Sequence, residues 1–220
     1  MSATAPTRRP RVALSRDVIT DAAFRLTRDE PTTPLTLIRL GTELGADPTA
    51  LYRHFRKRED LLLAVFDQTY ADVIARYEHD SDWRTSLRRV AVAMRAVLLE
   101  RPALVAEVGY RFTGGPHERA AIELTHRTFE RAGLSGEAAR LQVRAFGELM
   151  LSHVAMNAAT VSLSAELQER EIEIGRAMYD LEVSDMSAYE DATFNLILDT
   201  YIDGLSAQAR AAKRPKVASS

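Results

Sequence analysis

Between residues 15 and 28 the apolar side chains Val18, Ile19, Ala22, Ala23 and Leu26 recur at three- and four-residue spacing, the single stripe of an amphipathic helix. Ser15 stands at the capping position, Leu14 and Ile19 flank it as a hydrophobic staple, and Asp17 puts negative charge where the helix dipole favours it. A polar stretch rich in Thr and Pro, residues 30–34, leads to a second helix that Thr36 caps and that Leu37, Ile38, Leu40 and Leu44 make apolar on one side. Gly45 then supplies a tight turn, and Asp47-Pro48 restarts a helix with an N-cap followed by the residue that tolerates a missing N–H at N1. On this third helix Leu51 and Phe55 share the buried side, so Thr49, Ala50 and Arg53 face away and Tyr52 and His54 fall on the flanks.

Beyond residue 56 the same period continues nearly to the end. Leu61, Leu62, Val65, Phe66, Thr69, Tyr70, Val73, Ile74 and Tyr77 keep one helical stripe for about five turns, long enough to join two units. Further helices are predicted at 82–101, 117–132, 136–163, 165–182 and 186–210. Pro102 opens a short segment ending near Gly114-Gly115-Pro116, and breaks fall at 133–136 and around Ser184. No period-2 alternation and no long repeat occurs, so the expected class is all-α. The expected layout is a basic arm at 1–13, a helix-turn-helix unit at 14–60, a helical body at 61–210 and a tail at 211–220, both termini lacking apolar anchors.

Composition narrows the possibilities. With 220 residues, 46% of them hydrophobic, the chain has material for one small unit and one larger core. No apolar run approaches the roughly 20 residues that span a bilayer, and no apolar region follows Arg8, Arg9 and Arg11, so neither a membrane span nor a signal peptide is expected. The absence of cysteine excludes disulfides, thiolate metal sites and cysteine nucleophiles, and a cytoplasmic location is the expectation. Residues 1–66 carry eleven basic and eight acidic side chains, a charge of +3, which leaves −5 for the remainder because the whole is −2. A basic head on an acidic body suits an oriented approach to nucleic acid.

The third helix has the chemistry for that partner. Reading double-stranded DNA needs an apolar side to seat the helix, a long donor for base edges, and flanking groups that register on phosphates. Arg53 is the candidate for base edges, with Thr49 and Ala50 beside it; Asp47 and Pro48 start the helix. Thr36, Tyr52, His54 and Arg58 are the candidates for phosphate contacts, with the Arg8, Arg9 and Arg11 arm as a further one. Residues 14–63, through LSRDVITDAAF, the LGTELGAD turn, LYRHF and a cation ahead of EDLLLAVF, resemble the DNA-binding domain of the tetracycline-repressor (TetR) family. Gly41 stands where that family usually has Ala, implying closer helix packing or a softer hinge, and Arg58 stands where it usually has Lys.

The resemblance implies a homodimeric repressor that binds a palindromic operator, is released by a small hydrophobic effector, and dimerises through its C-terminal helices. Leu141, Leu149 and Val154 among small residues, and Phe194, Ile197, Leu198, Tyr201, Ile202 and Leu205, stand at that place. An effector cavity is expected among the bundle helices, with Met94, Leu98, Phe112, His126 and Phe129 as lining candidates. On the next helix Met150, His153, Met156 and Asn157 join them, all of these being ordinary core types too. Two other readings compete. Glu123 and His126 form one Glu-x-x-His of the kind used in di-iron carboxylate bundles, but such a metalloenzyme needs a second pair and two more carboxylates, and none is found. A helical adaptor for protein partners would make the Tyr52-Arg53-His54 arrangement accidental. With no nucleophile elbow, phosphate loop or His-Glu-x-x-His, the expectation is a non-enzyme without cofactor or metal.

Overall fold

Capping side chains set where the first three helices begin. Ser15 accepts from the N–H of Val18 at 3.1 Å and starts α1 (Arg16–Asp29); Thr36 accepts from Arg39 at 3.2 Å and starts α2 (Leu37–Leu44). Asp47 accepts both the N–H and the hydroxyl of Thr49 at 2.7 Å and starts α3 (Pro48–Leu51); these bonds hold its carboxyl below the usual range. Gly45, with φ of 59°, closes α2 in the left-handed conformation that glycine adopts without strain. A Cβ at Gly41 would lie 2.8 Å from the Ala46 carbonyl oxygen and 3.1 Å from the Pro48 ring, so glycine here serves close packing.

The computed structural model describes residues 13–180 and 186–212. Within them α4 (Arg58–Arg76), α5 (Trp83–Leu99), α6 (Pro102–Val108), α7 (Pro116–Arg131), α8 (Gly136–Val161), α9 (Ala165–Tyr179) and α10 (Met186–Ala212) follow, and no strand occurs among the described residues. The break expected around Ser184, the Arg8/Arg9/Arg11 arm and all of the tail from 213 lie outside the described residues.

α3 is shorter than the periodicity predicts. Residues 52–54 continue as turns, and the N–H groups of His54 and Phe55 both reach the Leu51 carbonyl at 3.0 Å. Arg16 of α1 holds this turn: its guanidinium lies 4.1 Å from the centre of the Phe55 ring and donates to the His54 carbonyl at 2.7 Å.

α1 packs on α2 and α4, and α3 packs on α2. α4 continues past them to pack on α5, α6 and α7, and α8 covers α5, α6 and α7 while α10 lies on α5. A continuous apolar core runs from Ile19 and Phe55 through Leu62, Phe66 and Leu98 to Met150 and Leu198. α4 therefore belongs to both ends of the molecule. α6 ties the ends together as well. The Arg58 guanidinium donates to the Leu35 carbonyl at 2.6 and 2.9 Å and grips both oxygens of Glu107 on α6 at 2.6 and 2.9 Å, which raises its pKa. Arg101, which caps α6, is wholly buried beneath Phe24 of α1 at 3.9 Å from the ring centre. It has Asp72 at 3.5 Å and Glu100 at 3.6 Å, but none of its guanidinium nitrogens makes a hydrogen bond. Burial pushes its pKa down against the pull of those carboxylates.

Candidate functional site

The outward face of the second and third helices carries the expected nucleic-acid candidates. Leu51 and Phe55 are buried, which fixes the segment on α1 and α2, while Thr36, Thr49, Tyr52 and Arg53 are exposed and Ala50 and His54 are half-buried. Arg53 makes no ion pair or hydrogen bond through its side chain among the described residues, so its donors face solvent. Arg58 differs from the expectation. It sits at the start of α4 with its guanidinium already held by Leu35 and Glu107, and so works as a tie from α4 to α6 and to the segment leading into α2. Nothing in the linear order links residue 58 to residue 107, which is why pattern reading missed it. Pro48 fills N1 of α3, and Asp47 is turned toward Thr49 as a cap.

A cavity of about 950 Å³ opens between α7 and α8. Its floor is Tyr70 and Val73 of α4, Val90 and Met94 of α5, and Phe146 of α8. Tyr110 and Phe112, from the segment after α6, form one wall, while Ala121, Thr125, Val143 and Leu151 form others. Ile122, Glu123, Arg140, Arg144 and Glu148 are exposed at the mouth. The Tyr70 phenol is pushed well above its ordinary pKa by burial, and further by Glu118 and Asp67, so at neutral pH it remains an O–H donor.

Of the expected lining residues, Met94, Phe112 and His126 face this space. Leu98, Phe129 and Met150 are instead fully enclosed in the core, and Met156 is 71% exposed on the outside of α8. His153 and Asn157 are buried side by side away from the cavity, with 3.3 Å between Asn157 Nδ2 and His153 Nε2, and the imidazole packs against Phe194 of α10. The displacement is one step round the helix. Phe146, Met150, Val154 and Ala158 are the core stripe of α8, and the neighbouring stripe of Arg140, Val143, Gly147 and Leu151 borders the void.

Asp67 holds the start of α7, beside the Tyr70 end of the cavity, in place. From the middle of α4 its carboxylate accepts the N–H groups of His117 at 3.3 Å and Glu118 at 2.9 Å, satisfying the first turn of α7 from another helix. It also accepts from the Thr113 hydroxyl at 3.0 Å and faces His117 Nδ1 at 2.9 Å; a carboxylate only accepts, so that nitrogen carries the proton. Glu118 in turn accepts from the Gly114 N–H at 2.8 Å and lies 2.9 Å from the Thr113 hydroxyl, whose single proton serves one of the two carboxylates at a time. Residues 110–112 of the cavity wall thus hang between α6 and this clamp.

The enclosed imidazole of His153 yields a pH prediction. Burial lowers its pKa, and the nearby Arg95 charge lowers it further. The unfolded chain therefore binds the proton more readily, so this contribution to stability is present above the unfolded pKa of 6.5 and is lost as pH falls through the folded value below it. His153→Leu is expected to flatten the loss of stability on acidification below pH 6.5, measured by urea unfolding at several pH values. An unchanged acid limb would show that His153 does not carry it.

Among the described residues no three His, Asp or Glu side chains gather as a metal site, and Glu123 and His126 turn instead toward Arg127 and Glu130, at 4.0 and 3.7 Å. Likewise no described helix is long and apolar enough to cross a membrane.

Comparison with known proteins bears on these surfaces. Residues 19–65 match the family model "Bacterial regulatory proteins, tetR family". An HTH-type transcriptional repressor of Mycobacterium tuberculosis is 33% identical over 99 residues, 44% of this chain and only 38% of the relative's length. A crystal structure of a putative transcriptional regulator from Streptomyces coelicolor A3(2) aligns with a TM-score of 0.73 at 25% identity, covering 90% of this chain and 99% of that one. The Streptomyces coelicolor TetR family protein ActR, in complex with (S)-DNPA, shares the fold with a TM-score of 0.70 at 22% identity, covering 90% and 100%.

Proposed function

We propose that this chain, whose residues 19–65 match the tetR family of bacterial regulatory proteins, is a homodimeric transcriptional repressor and not an enzyme, and that its 950 Å³ cavity receives a small-molecule effector. In this reading residues 14–60 are the operator-binding unit and 61–210 the effector-binding and dimerisation unit, working on DNA in the cytoplasm. The observation that carries the proposal is the position of α4. Its first turn is bound through Arg58 to the Leu35 carbonyl just ahead of α2, its middle supplies Tyr70 and Val73 to the cavity floor, and Asp67 between them grips α7. An effector that pushes the floor moves the helix on which the DNA-binding helices rest. Two recognition segments must match half-sites about one helical turn apart, so a small displacement lowers operator affinity. Linkage then requires operator DNA to weaken effector binding by the same factor.

Dimerisation is proposed through α8 and α10, where outward apolar side chains are left uncovered. Leu196 of α10 is 68% exposed, and Leu141, Met156 and Val161 of α8 are exposed too. Leu196→Glu is expected to yield a folded monomer by analytical ultracentrifugation, because one carboxylate facing its symmetry mate leaves both desolvated without a partner. A Leu196→Glu protein that stays dimeric would move the interface elsewhere. The function is tested by selecting from random duplex DNA with the whole chain. Enrichment of an inverted repeat is expected, and no enriched sequence, or isolated half-sites only, would overturn the proposal.

A further inference from the structure

Charges around the cavity mouth pair off and leave one cation over. Arg144 is bound to Glu148 at 2.5 Å and lies 4.5 Å above the Phe112 ring, and Arg111 is paired with Glu59. Glu123 faces Arg127. Arg140 alone among the lining cations makes no ion pair or hydrogen bond among the described residues, although it borders the cavity on the same stripe of α8 as Val143 and Gly147. At the inner end the sign is reversed. Buried Glu118 borders the cavity there and buried Asp67 accepts its N–H, both near enough to Tyr70 to raise its pKa, so a ligand anion beside Tyr70 would stand near two carboxylates in a medium that screens poorly. The floor itself offers a phenol O–H, which takes a neutral acceptor. Between these ends the space is bounded by the rings of Tyr70, Tyr110, Phe112 and Phe146, and its 950 Å³ is room for several fused rings.

We propose that the cavity takes a flat, largely aromatic carboxylic acid, its carboxylate on Arg140 at the mouth and a carbonyl or hydroxyl oxygen facing Tyr70 at the floor. The inference rests on the reading of this cavity as the effector site. It adds the ligand's class and its direction of entry.

The test is calorimetric titration of the full chain, at one salt concentration, with 9-fluorenone-2-carboxylic acid, its carboxamide, the corresponding aminomethyl compound and dodecanoic acid. The aromatic acid should bind at least about tenfold more tightly than the carboxamide, a factor within the range of one charge-assisted hydrogen-bonded contact. Arg140→Gln should bring the acid down to the carboxamide's affinity, and Tyr70→Phe should weaken acid and carboxamide by a common factor. Equal binding of acid and carboxamide, preference for the amine or for dodecanoic acid, a preference that survives Arg140→Gln, or no binding by any of the four would overturn the proposal. Gly147→Trp separates this failure from failure of the cavity itself. A Cβ at Gly147 meets nothing within 4 Å, so the indole has room to enter the space without moving the backbone. If Gly147→Trp blocks whichever probe binds, the cavity is the site and only the ligand class is at issue; if it blocks none, the cavity reading falls as well.

Discussion

Gly115→Ala is expected to destabilise the protein by about 2–4 kcal/mol, the range for disrupting a buried network of hydrogen bonds to a charged group. The added Cβ would stand 2.1 Å from Asp67 Cγ and within 2.4 Å of both its oxygens, so the carboxylate must leave. With it go two N–H partners at the start of α7, the Thr113 hydroxyl and the His117 ring. Asp67→Ala should cost a similar amount by removing the acceptor outright. The decisive quantity is the double variant. Once Asp67 is alanine the obstruction is gone, so adding Gly115→Ala should cost less than about 1 kcal/mol, leaving a coupling comparable to either single effect. Urea unfolding of the four proteins measures this directly. Additive losses would mean that Gly115 is required for its own backbone conformation and not for the approach of Asp67.

That clamp also marks where reading the sequence stopped. The helices themselves were legible because each buries one stripe with a 3.6-residue period, and because Ser15, Thr36, Asp47, Pro102 and Pro116 mark their starts by local chemistry. The Gly114-Gly115-Pro116 break was legible for the same reason. What the glycines accommodate was not, since Asp67 is 48 positions upstream of Gly115 and nothing in either neighbourhood names the other. The same holds for Arg58 with Glu107. Of the cavity lining named from residue type, Met94, Phe112 and His126 border the space, whereas Met150, His153 and Asn157 lie on the adjacent stripe of α8. Both stripes are apolar over part of their length, and which one faces a void depends on how α7 and α10 pack against it. Arg140 and Glu118 escaped notice because charged residues on a helix are ordinarily solvent-facing, and only the fold shows that these two border the cavity.

The second large effect is expected at the DNA surface, where Arg53→Ala and Arg58→Ala should behave as different kinds of change. Arg53 is exposed with its side-chain donors free, on the segment whose inner side Leu51 and Phe55 anchor. Its loss should weaken binding to the selected operator by about 1–3 kcal/mol, roughly 5- to 150-fold, and relax preference at one position of each half-site. Arg58 carries the same charge but spends it on Glu107 and the Leu35 carbonyl. A guanidinium neutralised in this way releases few counterions from DNA, so Arg58→Ala should leave the salt slope within less than one unit of the parent, whereas a free phosphate contact would remove about one. Its effect should appear in the tie between α6 and the segment leading into α2. Arg58→Ala and Glu107→Gln should then lower stability by similar, non-additive amounts of about 1 kcal/mol, as for a partly exposed bidentate pair. Random-sequence selection with Arg53→Ala, and titrations of both variants at several salt concentrations, separate the two roles. Unchanged base preference in Arg53→Ala, or a full unit lost from the slope in Arg58→Ala, would exchange the assignments and return Arg58 to the phosphate backbone.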